Sequence, residues 1–112
     1  MGIYFSAHWC PPCLKLTPKL AQLYKDIAAT GKKFVIVFVS SDKDYESFLR
    51  HFRQMPWVAL DYKEKDLQNM LGEAFRVERI PTLVLVDPKT GKFTTRGEEI
   101  AALGAAAFPW PL

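Results

Sequence analysis

The chain has 112 residues, of which 49% are hydrophobic and 24% are charged, and its formal net charge is +3. This length and composition predict one compact unit, residues 1–112 as a single domain, and exclude intrinsic disorder. The basic residues are scattered among the acidic ones without a run of like charge, which argues against nucleic-acid binding.

No segment is typical of a membrane span or a secretory signal. The longest apolar run, residues 34–39, is too short to cross a bilayer, and the N-terminus has neither the basic flank nor the apolar core of a signal peptide. We therefore expect a soluble protein that is not secreted and has no membrane partner.

The first predicted elements are a strand at residues 3–5 and a long helix that opens at residues 10–13, CPPC. Proline suits the first turn of a helix because its φ angle is fixed and it has no N–H to leave unpaired. Apolar residues at helical spacing continue to Thr30-Gly31, with Pro18 inside the helix.

Residues 34–39 are continuously apolar and predict the central strand of the sheet, in a parallel arrangement. Ser41 and Asp44 predict the cap of a second helix, which ends before Pro56, and a third helix is predicted from about Glu64.

The C-terminal part predicts a strand at residues 82–86, a turn, an antiparallel strand at residues 92–95 and a last helix at residues 98–103. Residues 108–112 are expected to form an extended tail docked by Trp110. The order βαβα followed by αββα predicts an α/β fold with a central mixed β-sheet flanked by helices.

Cys10 and Cys13 are the only cysteines, and their spacing predicts a redox pair. Unpaired N–H groups at a helix start stabilise a thiolate, so we expect Cys10 to attack a disulfide and Cys13, one turn later, to resolve the mixed disulfide. Two inert buried cysteines or a zinc site are the alternatives, but only His8 and His51 remain as further soft ligands. We expect no metal and no bound cofactor.

Among the neighbours of the pair, Trp9 and His8 have two interpretations each. Pro11 and Pro12 remove N–H groups and stiffen the loop. Trp9 forms an apolar wall for a substrate peptide or is simply partly buried. His8 is an exposed turn residue or, when protonated, a group that lowers the thiol pKa.

The run WCPPC at residues 9–13, Pro18, and Ile80-Pro81-Thr82 before a strand resemble the thioredoxin superfamily. Residues 5–13, 39–42, 55–57 and 108–110 resemble its tryparedoxin and nucleoredoxin branch. The resemblance implies a thioredoxin-like fold in which Pro81 is cis and lies against the cysteines. The substrate-binding residues it implies are Trp9, Pro11, Pro12, Ile80 and Pro81.

The resemblance also implies a thiol–disulfide oxidoreductase that reduces protein disulfides, with peroxiredoxin-type acceptors and a dithiol or a reductase as electron donor, in the cytoplasm or nucleus. Two other functions stay open. One is a disulfide oxidant or isomerase, and the other is a redox-gated binding module that docks partners through residues 55–57 and 80–81 without turnover.

Three features depart from the wider family. Tyr4 stands where thioredoxins place a buried Asp, so another group or water must take the proton of Cys13. Glu73 and Glu78 are candidates, with surface ion pairs as the alternative. The chain lacks the N-terminal strand and helix of family members, which predicts an uncovered sheet and self-association or lower stability. Residues 96–99 are less basic than a trypanothione site requires, which leaves the donor open.

Overall fold

A computed structural model describes residues 1–112. The strands are β1 (Gly2–Ser6), β2 (Ile36–Ser40), β3 (Val58–Ala59), β4 (Thr82–Val86) and β5 (Phe93–Thr94). The helices are α1 (Pro11–Ala29), α2 (Tyr45–Phe52), α3 (Lys65–Ala74) and α4 (Gly97–Ala101), and a 3-10 turn follows at Ala105–Ala107. None of the four helices combines the length and the apolar character that a membrane span requires.

The five strands form one mixed sheet in the order β3-β2-β1-β4-β5. β1 pairs in parallel with β2 and antiparallel with β4, and all of its residues are buried. The predicted α/β class and mixed sheet are confirmed. The prediction that β2 is central is wrong, because β1 has a full-length strand on each side and takes the middle.

The apolar spacing predicted the helices correctly, with corrections at their ends. The Asp44 carboxylate caps α2 by accepting a 2.7 Å hydrogen bond from the Ser47 amide. Ser41 takes no part in this cap, and its carbonyl oxygen accepts a hydrogen bond from the Trp9 indole. The predicted order omitted β3, because two residues are too few to show alternation.

Both faces of the sheet are covered by apolar clusters. Tyr4 belongs to the larger cluster, whereas its neighbours Ile3 and Phe5 belong to the smaller one. Successive side chains of a strand point to opposite faces, so β1 is held from both sides. This fixes the end of β1, from which the next loop leads to α1.

Trp110 docks the C-terminal tail, as predicted. Its ring packs edge-on against Phe34 at a centroid distance of 5.4 Å, and its indole N–H donates to the carbonyl oxygen of Gly104 at 3.0 Å. The short strands β3 and β5 form the edges of the sheet. Self-association through an edge stays a prediction.

Candidate active site at the start of α1

The two cysteines lie where the chain leaves β1 and enters α1. Cys10 is the N-cap residue of α1, with an extended backbone (φ −100°, ψ 109°), and Pro11 and Pro12 occupy the first two helical positions. The carbonyl oxygen of Cys10 accepts the first helical hydrogen bond from Leu14 at 3.1 Å. The predicted helix start is confirmed.

The sulfur of Cys10 faces a backbone donor of its own helix. The amide of Cys13 donates to Sγ of Cys10 at 3.4 Å, while Pro11 and Pro12 have no N–H to offer. This contact and the positive end of the helix dipole favour a negative charge on Sγ of Cys10. The same sulfur lies 4.0 Å from the carbonyl oxygen of Ile80, and the protonated thiol donates a weak hydrogen bond to that oxygen.

Both cysteines are free thiols, and they differ in exposure. Cys13 is completely buried, whereas Cys10 keeps 4% of its surface exposed. Burial and the neighbouring Cys10 raise the pKa of Cys13 to about 11, against the opposing effect of hydrogen bonding by Ser6 and by the backbone of Ala7. Cys13 therefore carries its proton at neutral pH.

Ile80, the residue before Pro81, lies against the cysteine pair. It packs on the buried cluster of Ala7, Cys10 and Cys13, and the Ile80-Pro81 peptide bond is cis. Ile80 also lines a groove of about 760 Å³ together with Trp9.

The predicted substrate-binding residues divide into three groups. Trp9 and Ile80 share the groove, whereas Pro81 lines a separate cavity of about 310 Å³. Pro11 and Pro12 are exposed on the first turn of α1, outside the groove. A substrate lying in the groove therefore meets Trp9 and Ile80.

Trp9 is exposed over 54% of its surface, yet it is held in place. Its indole N–H donates to the carbonyl oxygen of Ser41 at 3.1 Å, and the ammonium group of Lys43 lies 5.8 Å from its ring centroid. Its role as an apolar wall for a substrate peptide stays a prediction. Its ring is a fixed apolar surface at the rim of the site.

A buried polar pair behind Cys13 was missed from the sequence. Ser6 and His51 are both fully buried, and Oγ of Ser6 lies 2.7 Å from Nε2 of His51. From the sequence alone, His51 was considered only as a metal ligand. Its position three residues after Phe48, on the apolar face of α2, was the signal that it would be buried.

A buried carboxylate, Asp42, lies near this pair. It accepts hydrogen bonds of 2.7 Å from the amide of His8 and from the hydroxyl of Ser40. The rings of His8 and His51 are 5.9 Å apart, centroid to centroid. The loop that carries the cysteines is thus tied to the end of β2.

The two glutamates predicted as proton acceptors do not reach Cys13. Glu73 and Glu78 are exposed residues at the groove, and neither affects the pKa of Cys13. Neither forms an ion pair, because the only one in the structure joins Arg96 and Glu99. Both predicted roles are therefore wrong.

Known proteins resemble this chain in sequence and in structure. A family model described as thioredoxin-like matches residues 1–93. Nucleoredoxin of Danio rerio is 42% identical over 113 residues, an alignment that covers 98% of this chain and 27% of the relative. The chain thus spans about a quarter of the length of the curated relatives it matches.

Solved structures match over most of their length. Tryparedoxin II complexed with glutathionylspermidine superposes with a TM-score of 0.88 at 37% identity, covering 99% of this chain and 78% of that one. Tryparedoxin from Trypanosoma brucei gives a TM-score of 0.84 at 38% identity, with coverage of 99% and 78%.

Proposed function

Since the chain belongs to the thioredoxin-like family, in its tryparedoxin and nucleoredoxin branch, we propose that it is a thiol–disulfide oxidoreductase that reduces protein disulfides through Cys10 and Cys13. The thioredoxin-like fold expected from the sequence supports this proposal. The observation that carries it is the 3.4 Å contact between the amide of Cys13 and Sγ of Cys10 at the first turn of α1.

The two cysteines take different roles because their surroundings differ. Cys10 has the exposed edge and the backbone donor that favour a thiolate, so it is the nucleophile. Cys13 is sealed from solvent and holds its proton, so it does not compete for the substrate. It acts second, on a bond that has already formed at Cys10.

The reaction proceeds by two exchanges that balance. The thiolate of Cys10 attacks a substrate disulfide, which gives a mixed disulfide and releases one substrate sulfur as a thiolate. Cys13 then loses its proton and attacks Sγ of Cys10, which forms the Cys10–Cys13 disulfide and releases the second substrate sulfur. A low-molecular-weight dithiol or a reductase returns two electrons and two protons to the pair.

The groove beside Cys10 suits a segment of a protein substrate. Trp9 and Ile80 give it an apolar rim, and the polar side chains of α3 line its other side. We propose disulfide-containing proteins as acceptors, with peroxiredoxin-type proteins among them, in a cytoplasmic setting where thiol donors are abundant. Arg96, at the neighbouring cavity, is paired with Glu99 at 2.6 Å, whereas Arg76 and Arg79 line the groove and form no ion pair.

Disulfide reduction with single cysteine variants tests the proposal. The wild-type protein, supplied with a dithiol, is expected to reduce insulin catalytically, and Cys10→Ser is expected to abolish turnover. Cys13→Ser is expected to stop after one exchange, with the substrate covalently attached to Cys10 as identified by mass spectrometry. Leu14→Ala, an exposed change on the same helical turn, is the matched control and retains turnover.

The same assay, together with measurements of partner binding and of the reduction potential, separates the remaining functions. Absence of turnover together with redox-dependent binding of a partner would replace the enzyme by a binding module. A reduction potential of about −120 mV would instead indicate an oxidant.

A further inference from the structure

The buried histidine of α2 has no part in the reaction described above. His51 is fully buried, and its Nδ1 has no hydrogen-bond partner in the protein. Most buried polar atoms are paired, so an imidazole held by one nitrogen alone calls for an explanation. Its other nitrogen, Nε2, faces the hydroxyl of Ser6 at 2.7 Å.

Ser6 connects this imidazole to the resolving cysteine. It is the last residue of β1, it is fully buried, and its hydroxyl lies close enough to the thiol of Cys13 to lower the pKa of that thiol. A hydroxyl group accepts and donates at the same time, so Ser6 can pass a proton from one neighbour to the other.

We propose that Ser6 and His51 form a relay that takes the proton of Cys13 when this residue attacks the mixed disulfide at Cys10. The relay rests on the proposed function, because it serves the second exchange. Cys13 gives its proton to Oγ of Ser6 while the Ser6 hydroxyl gives its own proton to Nε2 of His51. Ser6 then donates to the new thiolate, and the imidazolium donates to Ser6.

The step balances in bonds and protons. The Cys13 thiolate forms a bond to Sγ of Cys10, and the bond between Cys10 and the substrate sulfur breaks with its electron pair on the substrate. The leaving thiolate takes a proton from solvent, and His51 afterwards releases one to solvent. No oxidant beyond the mixed disulfide is needed.

The charged groups that face His51 suit a base that is protonated only briefly. Burial lowers the pKa of His51, and so does His8 from the loop before α1, while Asp42 from the loop after β2 raises it. The imidazole is therefore neutral at pH 7 and able to accept a proton. Asp42 stabilises the imidazolium while it exists.

The other candidates for this role are occupied or distant. Tyr4 is a neutral phenol engaged with Thr17, and Glu73 and Glu78 are exposed at the groove. His51 thus acts as a positioning residue for proton transfer, through Ser6, rather than as a group that touches the substrate.

The two release steps of 5,5′-dithiobis(2-nitrobenzoate) separate this relay from the nucleophile. The first equivalent of coloured thiol reports attack by Cys10, and the second reports attack by Cys13. We expect His51→Gln and Ser6→Ala to leave the first release within about twofold of wild type and to slow the second by about a hundredfold at neutral pH, a typical contribution of a general base.

The pH profile supplies a readout that a structural role would not move. In the wild-type protein the rate of the second release is expected to decrease as the pH drops below neutrality, because His51 becomes protonated. Above neutrality this rate should be constant. In the variants it should rise steadily toward the high pKa of Cys13. Phe48→Leu is the matched control and keeps the wild-type profile, because it loosens α2 at a ring that stacks on Phe38, the same ring that His51 meets edge-on.

A second release in His51→Gln with the wild-type rate and pH profile would overturn the relay. If the variants do not fold, nitrogen NMR of His51 in the wild-type protein decides, because the relay requires the proton on Nδ1 and a bare Nε2 at pH 7. A proton on Nε2 contradicts it. A failed first release in wild type refutes the proposed function instead, and the NMR result still decides the relay.

Discussion

The hydroxyl of Tyr4 lies 2.8 Å from Oγ1 of Thr17, and this contact ties the central strand of the sheet to α1. Oγ1 of Thr17 donates in turn to the carbonyl oxygen of Cys13 at 2.9 Å. Burial raises the pKa of Tyr4 above its ordinary value, so the phenol keeps its proton in the working range of a thiol enzyme. Tyr4 therefore supports the cysteine turn and does not titrate with it.

Removal of this hydroxyl is expected to affect stability and not catalysis. Tyr4→Phe should lower the free energy of unfolding by about 1 kcal/mol, the usual net value of one hydrogen bond, with both thiol-release rates within about twofold of wild type. Denaturant titration and stopped-flow kinetics measure the two effects. Tyr24→Phe removes a hydroxyl that makes no hydrogen bond and should change neither quantity. Selective loss of the second release in Tyr4→Phe would make Tyr4 the proton acceptor.

His51 predicts how stability depends on pH. Its pKa in the folded protein lies below the ordinary 6.5, because burial disfavours the imidazolium. As the pH falls through about 6.5, the unfolded chain binds a proton at His51 and the folded chain does not. Above that pH the buried neutral imidazole costs no stability, because the unfolded chain is neutral there as well. On acidification the unfolded chain is increasingly favoured, so the free energy of unfolding should decrease between about pH 7 and pH 5.

The variant His51→Gln cannot bind this proton and should show a shallower decrease over the same range. Urea titrations at several pH values measure it. Asp44→Asn is the control, because hydrogen bonding by Ser47 lowers the pKa of this exposed carboxyl from 3.8, and its effect falls in a more acidic range. An unchanged slope in His51→Gln would show that His51 is protonated in the folded state as in the unfolded one.

Much of the fold followed from local patterns in the sequence. The CPPC run placed the start of α1, and the apolar run after Phe34 placed β2, because both signals lie within one element. The central position of β1 did not follow, since strand order depends on which partners a strand finds across the sheet. A five-residue strand carries no record of that choice in its own sequence.

In the candidate site, too, the local contact was predictable from the sequence and the long-range contact was not. The cysteines lie three positions apart on one turn, so their contact was predictable from helix geometry. Ser6 and His51 are 45 positions apart and meet only because α2 packs on the sheet beside the end of β1. A buried polar contact of this kind has no periodicity, and burial of His51 was the one part that its place on α2 indicated.

The difference between the two cysteines predicts selective alkylation. With a pKa of about 11, only about one Cys13 thiol in ten thousand is ionised at pH 7, and its side chain is sealed from solvent. Limiting iodoacetamide should therefore modify the reduced protein once, at Cys10, as peptide mass spectrometry would show. Cys10→Ser should be almost unreactive under the same conditions. Equal labelling of both cysteines would contradict the assigned order of attack.

Trp9 is expected to matter for protein substrates and hardly at all for small ones. Because 54% of its surface is exposed, Trp9→Ala should change the free energy of unfolding by less than about 0.5 kcal/mol. A bound peptide segment would lose a large apolar contact, so kcat/KM for insulin should fall about tenfold, whereas the first thiol release from the small aromatic disulfide should stay near wild type. Trp9→Phe keeps an apolar ring but loses the hydrogen bond to Ser41, and it should retain most of the activity toward insulin. An equal loss for both substrates in Trp9→Ala would mean that Trp9 acts on the reactivity of Cys10 and not on substrate binding.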